Sequence, residues 1–314
     1  MLRQAQPSSA AEYGREQRRE IVQAVAAVRR QWRRMGTDFD VSWPRVAPRL
    51  LEVTDLAQSR VAAGALAFIP DVLEDTGQSR AATAVARPNV RALVGVAGDG
   101  RPVDSLLYGA VTRAKERVAS GATPTQALRA SSQWLTMATG TLLSDTGRQA
   151  ESLGMGVRPV GGYVRMLNTP SCSRCVVLAG RWYRKSSGFL RHPGCDCRHI
   201  PASESVAGDL TVSPSDYFDS LSPGEQDATF GKAGAEAIRE GADVSKVVNA
   251  RRGMRTAQVG GRNVLTTTEG ITRRGQASRA ATGRRGARLM PETISRVATG
   301  RDDYLRLLRV NGYL

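Results

Sequence analysis

The chain has 314 residues, a formal net charge of +16 and a pI near 10.7, and only four of its 45 basic residues are lysines. Its longest apolar runs are far shorter than the roughly 20 residues that a membrane-spanning helix needs, and the first residues contain no apolar signal segment. The sequence therefore predicts neither a membrane protein nor a secreted one. The surplus of positive charge predicts a polyanionic partner, most simply nucleic acid.

The first half of the chain has the periodicity of a helical assembly. Four helices are predicted, over residues 12–35, 48–68, 103–119 and 123–153. We interpret the arginines of the first helix as a solvated face rather than as a phosphate-binding one. Pro70 is expected to end the second helix. Thr123 and Gln126 form the sequence signature of a capping box at the start of the fourth.

The composition changes near Gly161. Residues 163–167 and 176–184 have strand-like composition, and Ala179-Gly180 interrupts the second stretch as a hairpin turn would. Two helices are predicted to start at Ser213 and Ser222, and a last short helix is predicted over 302–310.

Residues 255–288 contain eight arginines and a single acidic residue. This composition favours a flexible arm that becomes ordered on a polyanion. The arginines with candidate DNA-binding roles are Arg262, Arg273, Arg274, Arg279, Arg284, Arg285 and Arg288. A second interpretation, in which the arm packs on a neighbouring protein subunit, stays open.

All cysteines and histidines of the chain lie within one short stretch. They are Cys172, Cys175, His192, Cys195, Cys197 and His199. A disulfide framework is disfavoured because the chain is long and lacks a secretion signal, and a redox motif does not need a second cluster downstream. Paired Cys and His ligands with this spacing are typical of a structural Zn²⁺ site.

The ligand set is only partly determined by the spacing. Cys172 and Cys175 are expected to bind the ion together with two of His192, Cys195 and Cys197, while His199 is expected at the surface. The fold class predicted is mainly α with a small β-hairpin zinc-knuckle module (α+β).

The residue inventory disfavours an enzyme. Both histidines lie inside the cysteine-rich stretch, so a histidine-dependent hydrolase has no residue to use. Asp196 is the only carboxylate between Cys172 and Ile200, so the predicted zinc site is closed and structural.

The cysteine-rich stretch resembles the signature of the Mu F-like minor head proteins of tailed bacteriophages. The matching residues are Cys172, Cys175, Gly180, Tyr183, His192, Pro193, Cys195, Cys197 and Pro201. Asp196 and His199 depart from the pattern and leave the ligand assignment open. The bias for arginine over lysine and the segments at 230–254 and 306–314 are similar to members from phages of actinobacteria.

The resemblance implies a minor capsid protein without enzymatic activity. It would assemble in the host cytoplasm with the portal protein and the scaffold-lined procapsid and lie in the capsid interior of the virion, and whether it leaves with the genome stays open. It would touch packaged double-stranded DNA without sequence preference, with no membrane and no small-molecule substrate. The alternatives are a zinc-containing nuclease of the His-Asn-His type, with His199 as its catalytic residue, and another zinc-dependent DNA-binding protein.

This interpretation divides the chain into five segments. They are an N-terminal helical region (1–100), a Mu F-like domain ending in the zinc module (101–203), a helical extension (204–254), the arginine-rich arm (255–288) and a C-terminal helix (289–314).

Overall fold

The computed structural model describes residues 7–167, 171–188, 195, 197–259, 261–270 and 287–314. These residues form two compact units. The helical unit holds the described residues within Gln4–Asn168 and Arg181–Thr211, and the C-terminal unit holds those within Thr169–Gly180 and Val212–Leu314. The chain is mainly helical with two small antiparallel sheets, so the prediction of a mainly α fold with a small β component is confirmed.

The helical unit is built on four long helices. They are α1 (Ser8–Trp32), α2 (Phe39–Asp75), α4 (Val103–Ala119) and α5 (Pro124–Gly156), and a short α3 (Ser79–Ala82) and a 3₁₀ turn (Val90–Leu93) link α2 to α4. The boundaries predicted for α4 are confirmed. So is the capping box of α5, in which the Gln126 amide donates to the Thr123 hydroxyl and the Thr123 amide donates to the Gln126 side chain.

The prediction that Pro70 ends the second helix is wrong. Helix α2 continues to Asp75 and contains three prolines, of which Pro70 lies within its last two turns. A proline inside a helix removes one backbone hydrogen bond and costs about 3 kcal/mol. Ile69, Val72 and Leu73 are fully buried on either side of Pro70. Burial of three such side chains stabilises the continued helix by more than the proline costs.

Helix α2 is also long and apolar enough, by length and composition alone, to cross a membrane. Half of its most apolar window is buried inside the structure, where α2 packs against α1 and α5. Core helices have the same profile.

Small aliphatic side chains fill the core of the helical unit. One cluster gathers the first half of α1, the second half of α2 and the sheet, around Tyr13, Phe68 and Tyr163. A second cluster joins the end of α1, the start of α2, α4 and the first half of α5, around Trp32 and Leu107. Val28 and Trp32 of α1 are buried in this second cluster.

A three-stranded antiparallel sheet completes the helical unit. Its strands are β1 (Gly162–Met166), β2 (Trp182–Arg184) and β3 (Arg198–Ala202), in the order β2-β1-β3, and a short α7 (Ala207–Leu210) follows. Gly162 pairs with Arg184 on one side and with Ala202 on the other. A Cβ on Gly162 would collide with the Tyr183 carbonyl oxygen and the Trp182 ring, so this position accepts only glycine.

The predicted hairpin over 176–184 is wrong. Residues Ser173–Ala179 form a helix, α6, and only Trp182–Arg184 is a strand, which pairs with β1 rather than with the preceding residues. The β-branched pair Val176-Val177 suggested a strand. The Cys172 side chain, however, accepts a hydrogen bond from the Cys175 amide and so caps a helix locally.

The C-terminal unit contains α6 and nine further elements. They are α8 (Pro214–Asp219), α9 (Pro223–Phe230), α10 (Lys232–Arg239), α11 (Val244–Ala250), β4 (Met254–Val259), β5 (Arg262–Thr267), β6 (Arg288–Leu289), α12 (Pro291–Val297) and α13 (Arg301–Val310). The predicted helix starts are confirmed, because Ser213 caps α8 and the Ser222 amide and hydroxyl donate to Glu225 at the start of α9. The last helix ends at Asn311 and Gly312 as predicted.

The prediction of a flexible arm over 255–288 is wrong for the residues that the structure describes there. Strands β4 and β5 pair over their full length, and β6 adds to the other edge of β5. Val264, Thr266 and Thr267 are buried, so this sheet has an interior face of its own. The prediction relied on the polar, arginine-rich composition and overlooked an alternation of side chains that suits a strand. Residues 271–286, which carry five of the eight arginines of the predicted arm, lie outside the described residues.

Candidate metal centre

The first cysteine pair lies at the start of α6. The Cys172 and Cys175 sulfur atoms are 3.2 Å apart, and the Cys175 amide donates to the Cys172 sulfur at 3.4 Å. Two contacts fix this turn: the Ser171 amide donates to the Tyr217 hydroxyl at 3.0 Å, and the Val212 amide donates to the Ala179 carbonyl at 3.3 Å. The cysteine turn is therefore preformed.

The second pair, Cys195 and Cys197, is buried just before β3. One guanidinium nitrogen of Arg148 on α5, Nη1, donates to the carbonyl oxygen of Cys195 at 3.0 Å and to that of Cys197 at 2.9 Å. Arg148 is itself buried and forms an ion pair with the buried Asp145 one turn earlier. Arg148 therefore fixes the backbone of both cysteines.

Three of the four cysteines are buried and could hold a metal ion. Cys175 belongs to the C-terminal unit, and Cys195 and Cys197 belong to the helical unit. None of the four cysteines is in a disulfide. Thiolates select Zn²⁺ and other soft ions rather than Mg²⁺ or Ca²⁺.

Three of the five predicted ligands are therefore buried cysteines. Cys172 is exposed and lies outside the group of three, although its sulfur is close to that of Cys175. His192 lies outside the described residues.

The prediction that His199 lies at the surface is wrong. Its side chain is only 5% exposed and packs against the Tyr163 ring, with centroids 4.1 Å apart. Burial, with the charges of Arg148 and Arg165 nearby, lowers the pKa of His199 to about 3. The imidazole is therefore neutral at physiological pH, and its 3.4 Å contact with Glu151 is not an ion pair. All five residues of β3 are buried, so both faces of the strand are covered and His199 is buried with its neighbours.

A buried polar network beside β3 was missed by sequence reasoning. Glu151 accepts hydrogen bonds from the Tyr13 hydroxyl at 2.9 Å and from the His199 amide at 3.0 Å. Burial raises the pKa of Glu151 to about 7, although these hydrogen bonds and the charges of Arg198 and Arg148 oppose the shift. The Arg198 guanidinium donates to the Gln17 side chain and to the Gly14 carbonyl oxygen.

One signal could have revealed part of this network. Asp145, Arg148 and Glu151 are spaced three residues apart on α5, which places all three on one face of the helix. The neighbouring positions Leu142, Leu143 and Ala150 are apolar, so a charged stripe among them indicates buried polar groups rather than a solvated face.

The predicted DNA-binding arginines separate into three groups. Arg262 is exposed on β5. Arg273, Arg274, Arg279, Arg284 and Arg285 lie outside the described residues. The DNA-binding role predicted for Arg288 is wrong, because its side chain is only 3% exposed. Its guanidinium donates to the carbonyl oxygens of Glu269 and Asn311 and lies over the Tyr313 ring. Arg288 is a structural residue that DNA does not reach.

Comparisons with protein-family models, with curated proteins and with solved structures found no match to this chain.

Proposed function

We propose that the protein is a bacteriophage minor capsid protein in which a structural zinc ion stabilises the cysteine-rich stretch. The observation that carries the proposal is the buried group of Cys175, Cys195 and Cys197, because these residues belong to the motif that resembles the Mu F-like minor head proteins. The net charge of +16 supports the same role, since a protein inside a filled capsid is surrounded by phosphate.

The zinc ion would take Cys175, Cys195 and Cys197 as ligands, with Cys172 or His192 as the fourth. Four protein ligands leave no open position for water or substrate, so the ion would cross-link the chain and perform no chemistry. Binding of the ion would add its free energy to folding, because the unfolded chain does not hold its ligands in place.

Metal analysis of the purified full-length protein tests the zinc proposal. We expect one zinc per chain, loss of the zinc in a Cys197→Ser variant, and a lower thermal midpoint after chelation. His199→Gln serves as the matched control, because His199 is equally buried nearby but is not a proposed ligand. A folded protein without metal and with four titratable thiols would rule the site out.

Non-specific DNA binding is the second part of the proposal. When a protein neutralises Z phosphates of duplex DNA, a plot of the logarithm of its DNA affinity against the logarithm of the salt concentration has a slope of about −0.9Z. We expect this slope to become shallower when Arg273, Arg274, Arg279, Arg284 and Arg285 are all replaced by glutamine. The control replaces five exposed arginines elsewhere and so removes the same charge: Arg80, Arg87, Arg91, Arg117 and Arg309. Equal slopes in the two variants would show that the segment 271–286 has no special role.

The capsid role itself is tested in purified particles. Quantitative mass spectrometry of virions from the phage that carries the gene should detect the protein at a few copies per particle, and co-expression with the cognate portal protein should yield a complex. Absence from the particles would refute the capsid role even if zinc and DNA binding were both confirmed.

The alternative of a His-Asn-His nuclease requires a histidine that can reach a phosphodiester. His199 is buried against Tyr163 and Glu151, which disfavours this role. We therefore expect no nicking of plasmid DNA in the presence of Mg²⁺. Nicking that is lost in a His199→Ala variant would favour the nuclease.

A further inference from the structure

A groove runs between α1 and α5 within the helical unit. A cavity of about 710 Å³ lies between the C-terminal end of α1 and the N-terminal half of α5. A second cavity of about 220 Å³ continues along the same two helices, and Thr136 lines both. We call the two cavities together the α1–α5 groove. From Arg18 to Arg33 its α1 side is about 22 Å long, which corresponds to about four turns of a helix.

The floor of the α1–α5 groove is apolar and fixed. Trp32, Met35 and Leu128 line the larger cavity, and the Trp32 indole nitrogen donates to the Leu128 carbonyl oxygen at 3.1 Å, which holds α1 to α5. In the smaller cavity Val22 is 61% exposed and Met137 is 38% exposed. Large apolar side chains that line a concave surface and remain exposed favour an occupant that covers them.

The α5 wall of the groove is low. Ser132, Thr136, Gly140 and Ser144 line the cavities at intervals of four residues, so they form one row along the helix. A Cβ built on Gly140 meets no atom within 4 Å, so the groove is open above it. Small side chains in a row allow the backbone of a second helix to approach closely.

The charges on the rim have one sign. Arg29, Arg33 and Arg129 line the larger cavity and Arg18 lines the smaller one, where the buried Arg198 forms part of the wall. Among the residues that the structure describes, no aspartate or glutamate lines either cavity. The complementary occupant is therefore acidic at its edges and apolar along its centre.

We propose that the α1–α5 groove binds an amphipathic α-helix of a partner protein, with acidic residues flanking its apolar stripe. This is helix-in-groove recognition, in which residues at helical spacing fill an apolar channel. Duplex DNA would satisfy the arginines but would leave Val22 and Met137 uncovered. A second copy of this chain is disfavoured because each copy has a net charge of +16. The proposal uses only the groove and does not depend on the capsid role.

The binding test uses three labelled peptides, each about four helical turns long, and the full-length protein. The first peptide has leucines at helical spacing with glutamates on both flanks, the second has lysines in place of the glutamates, and the third has the composition of the first in scrambled order. Fluorescence anisotropy at low salt should show that the first peptide binds about tenfold or more tighter than either of the others, because only it combines both complementary features.

Matched variants locate the site. The pair Arg29→Glu and Arg129→Glu reverses two rim charges, while Arg30→Glu reverses an exposed charge next to Arg29 that does not line the groove. Gly140→Leu fills the groove, while Gly156→Leu adds the same side chain at an exposed position near the end of α5 where a Cβ is also unobstructed. Circular dichroism checks that all four proteins are folded.

We expect the double charge reversal and Gly140→Leu each to weaken binding of the acidic peptide about tenfold or more, and the two controls to change it less than about threefold. Three results would overturn the proposal: no binding of the acidic peptide, equal binding of the lysine peptide, or equal effects of the test variants and their controls. Loss of duplex-DNA binding in both test variants, with the peptide unaffected, would also overturn it, because the groove would then be a nucleic-acid site.

Discussion

Each of the two units holds a buried arginine that donates to backbone carbonyl oxygens, but among the described residues only one of the two is paired with a carboxylate. Arg148 in the helical unit donates to the carbonyls of Cys195 and Cys197 and pairs with the buried carboxylate of Asp145. Arg288 in the C-terminal unit donates to the carbonyls of Glu269 and Asn311 and lies over the Tyr313 ring, with its guanidinium carbon 4.3 Å from the centroid.

The comparison shows that the net charge of the chain includes buried arginines and therefore overstates the positive charge at the surface. Arg165 and Arg198 are also buried, so several of the arginines behind the +16 are not available to a polyanion. Arginine suits this internal role because its planar group donates several hydrogen bonds at once and stays charged. The sequence-based prediction for Arg288 was wrong for this reason: it took an arginine-rich segment as uniformly exposed.

The largest effect is expected at Arg148. Arg148→Met breaks the ion pair with the buried Asp145 and removes the donor to both cysteine carbonyls, so it should lower the free energy of unfolding by about 3–5 kcal/mol. Urea denaturation measures this loss, with the exposed Arg129→Met on the same helix as control. Adding Asp145→Leu to Arg148→Met should recover part of the loss. No recovery would mean that the two residues do not act as a pair.

The same variant bears on the metal site. Because Arg148 fixes the backbone of two proposed ligands, Arg148→Met should weaken zinc affinity about 10–100-fold, as is usual for residues that orient metal ligands. Competition with a colorimetric chelator measures the affinity in the folded variant. An unchanged affinity would show that the cysteines hold their positions without Arg148.

A smaller effect is expected at Arg288. Arg288→Met removes hydrogen bonds to four carbonyl groups, those of Lys246, Glu269, Asn311 and Gly312, but leaves no carboxylate of the described residues without its partner, so the expected loss is about 2–3 kcal/mol. The exposed Arg262→Met should stay within about 0.5 kcal/mol of the parent protein. Arg288→Met should not weaken DNA binding more than Arg262→Met does, because Arg288 is buried. A loss at Arg288 equal to that at Arg148 would remove the distinction between the two units.

The smallest effect is a pH dependence in the helical unit. The pKa of Glu151 is raised from 4.5 to about 7 by burial, so the folded protein binds more protons than the unfolded chain between these values. Its contribution to stability is complete below pH 4.5 and is lost as the pH rises through about 7, by about 1 kcal/mol per pH unit. The lowered pKa of His199 acts in the opposite direction between about pH 3 and 6.5, so the test is the difference from the parent protein. Between about pH 4.5 and 7, Glu151→Gln should make stability fall less or rise more with pH than in the parent, whereas the exposed Glu116→Gln should leave the parent profile unchanged. Equal slopes would contradict the raised pKa.

Local signals predicted the elements whose ends depend on short-range contacts. The capping boxes at Thr123 and Ser222, the bounds 103–119 and the Asn311-Gly312 end are confirmed, because caps are formed by residues three or four positions apart. Predictions that needed knowledge of packing were wrong, at Pro70 and over 176–184. There, long-range burial or a side-chain cap outweighed local composition.

The candidate site divides in the same way. The cysteine spacing alone pointed to metal binding, since paired thiols are a local feature. No local pattern could show that Arg148 supports both second-pair cysteines, or that His199 turns inward against Tyr163, because those contacts join residues far apart in the chain. The sequence by itself determined the elements that begin or end at local caps and the residues that can bind a metal. Only the tertiary structure decided which charges are buried, because burial depends on partners from distant segments.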